Sequence, residues 1–188
     1  AGTSEGDVFK SMDAGRSWRV IKRVEGAIIT SLVLDPRDSR ILYAGTNGSG
    51  IFKTLDGGAT WLQIKKQLGE EFRDARRVTQ VVVDPQIANL IYMVSKYGII
   101  KSPDQGETWK AMSLPVAPGA AEVTYLAIDR KDNKKLFLIG PDAFILSVDG
   151  GASWTSKRLP TTRAGSMLLI SPSDSSLIYL GTKPQVTK

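Results

Sequence analysis

Eight carboxylates are the first residues in this chain whose type could support chemistry: Glu5, Asp7, Glu25, Glu70, Glu71, Asp74, Glu122 and Asp142. Two such groups facing each other across a cleft, roughly 6.5–9.5 Å apart in the inverting geometry, hydrolyse a glycosidic bond. None of the eight lies in a motif that fixes a pair, and a solvated surface acid is the plainer reading of each. The second candidate is KKQLGEEFRDARR, residues 65–77, which holds Phe72, Arg73, Arg76 and Arg77. Guanidinium forks grip a carboxylate or sulfate through paired hydrogen bonds, and an aromatic ring beside them stacks on a sugar or peptide. Tyr97 and Arg163, on other loops, complete the expected binding set. The plain reading of residues 65–77 is a solvated connection with one helical turn.

Composition removes many alternatives. The 188 residues contain no histidine and no cysteine. Thiol nucleophiles, disulfides, Ser/His pairs and zinc sites built on Cys or His are therefore excluded. The formal charge of +6 is spread along the chain, apart from Lys65, Lys66, Arg73, Arg76 and Arg77. No basic stripe with interleaved aromatics suggests a nucleic-acid partner. No apolar run approaches the roughly 18 residues of a membrane span, and residues 1–10 lack the pattern of a secretory leader. With 41% hydrophobic residues the chain can build a core without staples.

The elements that position these groups are announced by repetition. The octet SMDAGRSW, closing at Trp18, returns as TLDGGATW at Trp61, SPDQGETW at Trp109 and SVDGGASW at Trp154, in steps of 43, 48 and 45 residues. A second signature interleaves with it: SLVLDPRDSRILYAGT from Ser31, QVVVDPQIANLIYMVS from Gln80, YLAIDRKDNKKLFLIG from Tyr125 and LLISPSDSSLIYLGT from Leu168. Self-similarity at 40–50 residues marks a repeat array. In the cleanest unit, strands are expected at 29–34, 40–44, 50–54 and 60–65, separated by turn residues. Four antiparallel strands per unit is what a β-propeller blade requires.

The octet resembles the Asp box of the bacterial neuraminidase repeat. That repeat occurs in sialidases, sortilin-type receptor domains, xyloglucan-cleaving glycosidases and photosystem II assembly propellers. The resemblance rests on Ser11, Asp13, Gly15 and Trp18; on Thr54, Asp56, Gly58 and Trp61; on Ser102, Asp104, Gly106 and Trp109; and on Ser147, Asp149, Gly151 and Trp154. It implies an all-β fold, a propeller of four-stranded blades with about four Asp-box repeats. A structural role is expected for all sixteen residues. The Asp accepts backbone N–H bonds of the turn, the glycine supplies a positive φ, and the indole packs over the hairpin. Burying one indole is worth on the order of 4–6 kcal/mol before entropy is subtracted. One carboxylate per turn falls short of the six to eight oxygens calcium prefers, so neither a metal nor a cofactor is expected.

The chain reads as one propeller domain over 1–188, with units near 1–27, 28–77, 78–122 and 123–165. Segment 166–182 is then a half blade expected to pair with 1–22, because AGT at 1–3 and LGT at 180–182 both align with AGT at 44–46. Such a chain is a closed ring of four, half of an eight-bladed ring of two copies, or a fragment of a longer propeller. The fragment or partial ring is favoured over the closed ring of four, since the families it resembles generally use six or more blades.

A sialidase-like mechanism needs three arginines and a Tyr nucleophile paired with an acid, which no set here supplies. The functional expectation is a non-catalytic binding or scaffold module. It recognises a protein or glycan through loops on the face opposite the Asp boxes and sits outside the cell, in the periplasm or on the surface. A glycoside hydrolase domain, or part of one, is the alternative.

Overall fold

Runs of β-branched and aromatic residues, bounded by Asp, Pro and Gly turns, form sixteen strands in the computed structural model, which describes residues 1–64, 68, 71–115, 123–140 and 142–184. Strands β1 (Asp7–Lys10) and β2 (Arg19–Arg23) make a two-stranded N-terminal sheet. The first blade is β3 (Ile29–Leu34), β4 (Leu42–Thr46), β5 (Gly50–Thr54) and β6 (Leu62–Ile64). The second is β7 (Val78–Val83), β8 (Ile91–Ser95), β9 (Gly98–Ser102) and β10 (Lys110–Ala111), preceded by a 3-10 turn at Arg73–Arg76. The third is β11 (Tyr125–Ile128), β12 (Leu136–Ile139), β13 (Ala143–Ser147) and β14 (Thr155–Arg158). A C-terminal sheet contains β15 (Ala164–Ile170) and β16 (Ile178–Lys183). Strand pairing within the sheets is antiparallel throughout.

The core lies between sheets. Strands β4 and β8 are buried at all five positions, as the middle strands of a stack covered on both faces must be. Alternation along a strand sends neighbours to opposite interfaces. Val81 and Val83 pack with Tyr43, Ile64 and Trp109 between the first and second blades, whereas Val82 joins Leu126, Leu136 and Leu138 between the second and third.

Polar side chains stitch the stack where an inner strand presents unpaired backbone. The Thr30 hydroxyl donates to the Val78 carbonyl at 2.7 Å, and Ser31 Oγ accepts the Val81 N–H at 3.0 Å. The Gln80 amide grips Leu126 in both senses, donating to its carbonyl at 3.1 Å and accepting its N–H at 2.8 Å. Further out, Lys10 Nζ donates to the Gly57 carbonyl at 2.8 Å and the buried Lys53 Nζ to that of Gln105 at 3.1 Å. Each lysine thereby ties its sheet to the Asp-box turn of the next.

The shared blade expected from segments 1–22 and 166–182 is not assembled. The terminal sheets are separate, and Ala1–Thr3 already lies along β1. Ala1 exchanges two hydrogen bonds with Phe9, at 2.7 and 2.9 Å, while Gly2 bridges Val8. This copies the pairing of Ala44 with Phe52 and Gly45 with Ile51. The place on β1 that residues 180–182 were expected to take is filled by the equivalent residues 1–3, and the ring is open.

Candidate functional site

Antiparallel strand order divides the loops between two ends of the stack. At one end the Asp-box hairpins meet the turns that join the first and second strands of each blade: Gly57 N–H donates to Arg40, Gln105 to Asn89 and Gly150 to Lys134. The other end carries the turns joining second to third strands and the connections between blades.

The Asp-box end is a set of clasps. In each octet the Ser or Thr hydroxyl donates to the Asp carboxylate and accepts the N–H of the glycine two residues beyond that Asp. For Thr54, Asp56 and Gly58 these bonds are 2.7 and 2.9 Å. The residue before the Trp gives its N–H to the same carboxylate, and its hydroxyl to the second oxygen at 2.5–2.6 Å in all four copies. Both carboxylate oxygens are spent on the hairpin. These donors hold Asp13 at a pKa of about 2, led by the Ser17 hydroxyl and then its N–H. Asp56 and Asp149 are lowered further by the Thr60 and Ser153 donors. Desolvation is the largest single influence on Asp104 and pushes upward, yet the Thr108 and Ser102 bonds outweigh it and its pKa is also lowered.

Three of the four clasps also rest on the sheet before them. The second glycine is left-handed in all four turns, with φ between 88° and 99°. At three of them a Cβ collides with the preceding sheet: Ile21 at 2.6 Å from Gly58, Ile64 at 2.5 Å from Gly106, and Met112 at Gly151. Trp61 Nε1 donates to the Ile21 carbonyl at 3.2 Å and Trp154 Nε1 to that of Ser113 at 2.8 Å. In these three copies the octet packs against its neighbour.

The loop end holds the candidate site. Gly48 N–H donates to the Arg76 carbonyl at 3.1 Å and Asn47 bridges Arg77, so the first blade's Thr46–Gly50 turn clamps the segment that enters the second blade. Thr46 Oγ1 closes that turn on the Gly50 carbonyl at 2.8 Å. Tyr97, on the second blade's equivalent turn, meets Phe72 edge to face at 5.3 Å. Asn47, Arg77 and Lys96 are exposed and Arg76 and Tyr97 half-exposed. The Arg76 Nε is buried with no hydrogen-bond partner among the described residues. The arrangement places two guanidinium groups, an ammonium, an amide and a phenol ring at the same end of the stack.

Phe72 does not belong to that surface. It is 5% exposed, packed with Leu68, Ala75 and Ile64 in the inter-blade core, so it cannot stack on a ligand and instead supports Tyr97 from behind. The spacing of Leu68, Phe72 and Ala75 is the helical-turn signal that could have identified it. The side chains of Arg73 and Asp74 lie outside the described residues, as do Lys65, Lys66, Glu70 and Glu122. Arg163 is exposed on the connection to the C-terminal sheet, apart from this cluster, and its N–H bonds Thr161. Among the candidate acids, Asp7 is buried and held by Arg23 through bonds of 2.6 and 3.0 Å that lower its pKa, which makes it a structural partner. Glu5, Glu25, Glu71 and Asp142 are exposed. No helix among the described residues is long and apolar enough to cross a membrane.

The family described as photosynthesis system II assembly factor YCF48 matches residues 1–181. Among solved structures, one titled YCF48 bound to D1 peptide is 18% identical, covers 99% of this chain and 60% of its own, and superposes with a TM-score of 0.70. A GH74 enzyme from Niastella koreensis is 21% identical over 94% of this chain and 30% of its own, with a TM-score of 0.73. The β-propeller domain of Cps50 (Swd1) from Myceliophteria thermophila is 14% identical over 96% of this chain and 57% of its own, at 0.72. At these identities the likeness establishes the propeller fold. The chain spans less than two thirds of each of these structures. No curated protein matches it significantly.

Proposed function

The chain belongs to the photosynthesis system II assembly factor YCF48 family, and from that premise we propose that it is a non-catalytic propeller module that holds a protein partner on the loop end of its sheets. The observation that carries this reading is the family match over residues 1–181, which takes in all three complete blades. A solved structure bearing the family's name contains a bound peptide, which favours a peptide over a glycan as ligand. The chain's own geometry supports the same choice. Arg76, Arg77 and Lys96 suit a carboxylate from a side chain or a chain terminus, Asn47 suits a peptide backbone group, and Tyr97 gives one flat apolar contact.

The test is titration of the chain with a panel of carboxylate-bearing peptides and, in parallel, neutral and anionic glycans. A peptide is expected to bind, with affinity falling about tenfold or more in Arg77→Ala, since a charge-assisted hydrogen bond is worth roughly 1.5–3 kcal/mol. Binding of glycans alone, or peptide binding indifferent to Arg76 and Arg77, contradicts the proposal. Turnover of a polysaccharide that is lost in Asp142→Asn contradicts the non-catalytic reading.

A further inference from the structure

We propose that the inner edge of β15 at Leu168 is a docking place for a primary carboxamide, the side chain of a glutamine or asparagine in an acidic segment of a partner polypeptide. The place is separate from the Arg76, Arg77 and Tyr97 cluster and does not depend on it.

The first strand of each sheet pairs with the second on one edge and leaves the other edge open. Asp84, Asp129 and Ser171 give their N–H groups to the second strand, at 2.9, 3.1 and 2.9 Å. Alternation along an antiparallel ladder then turns the N–H and C=O of Val81, Leu126 and Leu168, each three residues earlier, to the open edge. The preceding sheet caps that edge at two of the three places. Ser31 Oγ accepts the Val81 N–H at 3.0 Å, and the Gln80 carboxamide meets both groups of Leu126, at 2.8 and 3.1 Å. The repeat puts Tyr125 where Ser31 and Gln80 stand. Its ring packs with Phe137, Ile139 and Leu168 instead. Thr124 Oγ1 still reaches the Gly165 carbonyl at 3.3 Å, as Thr30 reaches that of Val78, so the joint itself is formed. No group among the described residues bonds the open edge of Leu168. The capping residue always belongs to the sheet before, so this edge is left open by Tyr125 and by nothing that follows β15.

Leu168 is buried, and a buried backbone pair without partners is costly. Its edge borders a pocket of about 330 Å³ between β11 and β15, lined by Gln80, Tyr125, Leu126, Ile170 and Arg130 among others. The two groups lie side by side, so the partner must offer an acceptor and a donor on one side of one planar group. A primary carboxamide does this, as Gln80 shows one sheet earlier. A carboxylate only accepts, an ammonium or guanidinium only donates, and a trans peptide bond points its two groups in opposite directions. Arg130 adds a second requirement. It is exposed at the rim and forms no ion pair among the described residues, and its guanidinium suits a carboxylate beside the carboxamide. The occupant is therefore a glutamine or asparagine next to an acidic residue.

Amide-resolved NMR of the full chain, alone and titrated with the capped peptide acetyl-Gly-Gln-Glu-Gly methylamide, tests the proposal. In the free chain the Leu168 amide should exchange with solvent faster than those of Val81 and Leu126, which already have side-chain partners. The peptide should move the Leu168 amide resonance downfield and slow its exchange. Replacing the peptide's glutamine by methionine or glutamate should weaken binding about tenfold, the worth of two neutral hydrogen bonds. Tyr125→Gln should supply the cap from within, slowing Leu168 exchange without peptide and abolishing the peptide's effect. A Leu168 amide as protected in the free chain as that of Leu126 overturns the proposal. So does a glutamine peptide that binds no better than the methionine one or leaves the Leu168 amide unmoved, which would leave the edge to water alone. Should Tyr125→Gln fail to fold, the Leu168 response of the wild-type chain still decides.

Discussion

The octet ending at Trp109 and the octet ending at Trp18 have the same clasp and different surroundings. Ser102 and Ser11 bond Asp104 and Asp13 at 2.8 and 2.9 Å, and both indoles donate to their own glycine carbonyl at 3.1 Å. Yet Trp109 is 8% exposed and Trp18 53%. A Cβ on Gly106 runs into Ile64, whereas one on Gly15 meets only the ring of Trp18 at 3.7 Å. The octet alone therefore dictates the turn, and the preceding sheet supplies the burial. An Asp box is a hairpin clasp first and an inter-blade joint only when a neighbour is present.

The largest expected separation between the two boxes is in truncation of the indole. Trp109→Ala should cost about 3–5 kcal/mol in urea unfolding, whereas Trp18→Ala should stay within about 0.5 kcal/mol. Equal losses would show that the clasp, and not the neighbour, buries the ring. Next comes glycine. Gly106→Ala and Gly15→Ala share the cost of a left-handed φ, roughly 1–3 kcal/mol, and Gly106→Ala should lose roughly 1–3 kcal/mol more by pressing on Ile64.

Acid should act on both boxes alike, because the carboxylate clasp is local. Asp13 and Asp104 both have folded pKa values below the unfolded one. Their contribution is therefore complete above about pH 4 and is lost as pH falls through the folded values, toward about 2 for Asp13. Asp13→Asn and Asp104→Asn should each flatten the fall of stability over that range, followed by denaturant midpoints at successive pH values. A flattening in only one of them would make the clasp dependent on its neighbour. The smallest effect is expected at Arg77→Ala, within about 0.5 kcal/mol in the same unfolding assay while peptide affinity falls, which separates the loop end from the joints.

Particular residues show what the sequence could reveal. Strands β3 and β5 occupy the expected residues 29–34 and 50–54, because a β-branched run and a Gly-to-Asp-box interval mark them directly. Strand β4 begins two residues later than expected, at Leu42, because Ile41 is held in the Asp35–Arg40 turn by backbone bonds to Asp35 and Asp38. It runs on through Gly45 and Thr46, read from their composition as loop, since a glycine can enter a strand wherever the next sheet comes close. A Cβ on Gly45 would stand 2.8 Å from Val78. The loop-end site was half legible. Cationic and aromatic types point to Arg76, Arg77 and Tyr97, but Phe72 looks like a ligand contact until the sheet packed over it is known. The pairing of Asn47 and Gly48 with Arg76 and Arg77 joins residues about thirty apart through tertiary structure, and no local pattern encodes it.

The most direct measurement is fluorine NMR of the dilute chain carrying 5-fluorotryptophan, each resonance assigned by a Trp→Phe variant and its solvent-isotope shift recorded in light and heavy water. The prediction is the largest shift at Trp18, the smallest at Trp109, and Trp61 and Trp154 between them, following the presence of a preceding sheet. Four equal shifts, or a Trp18 as protected as Trp109, would contradict the account.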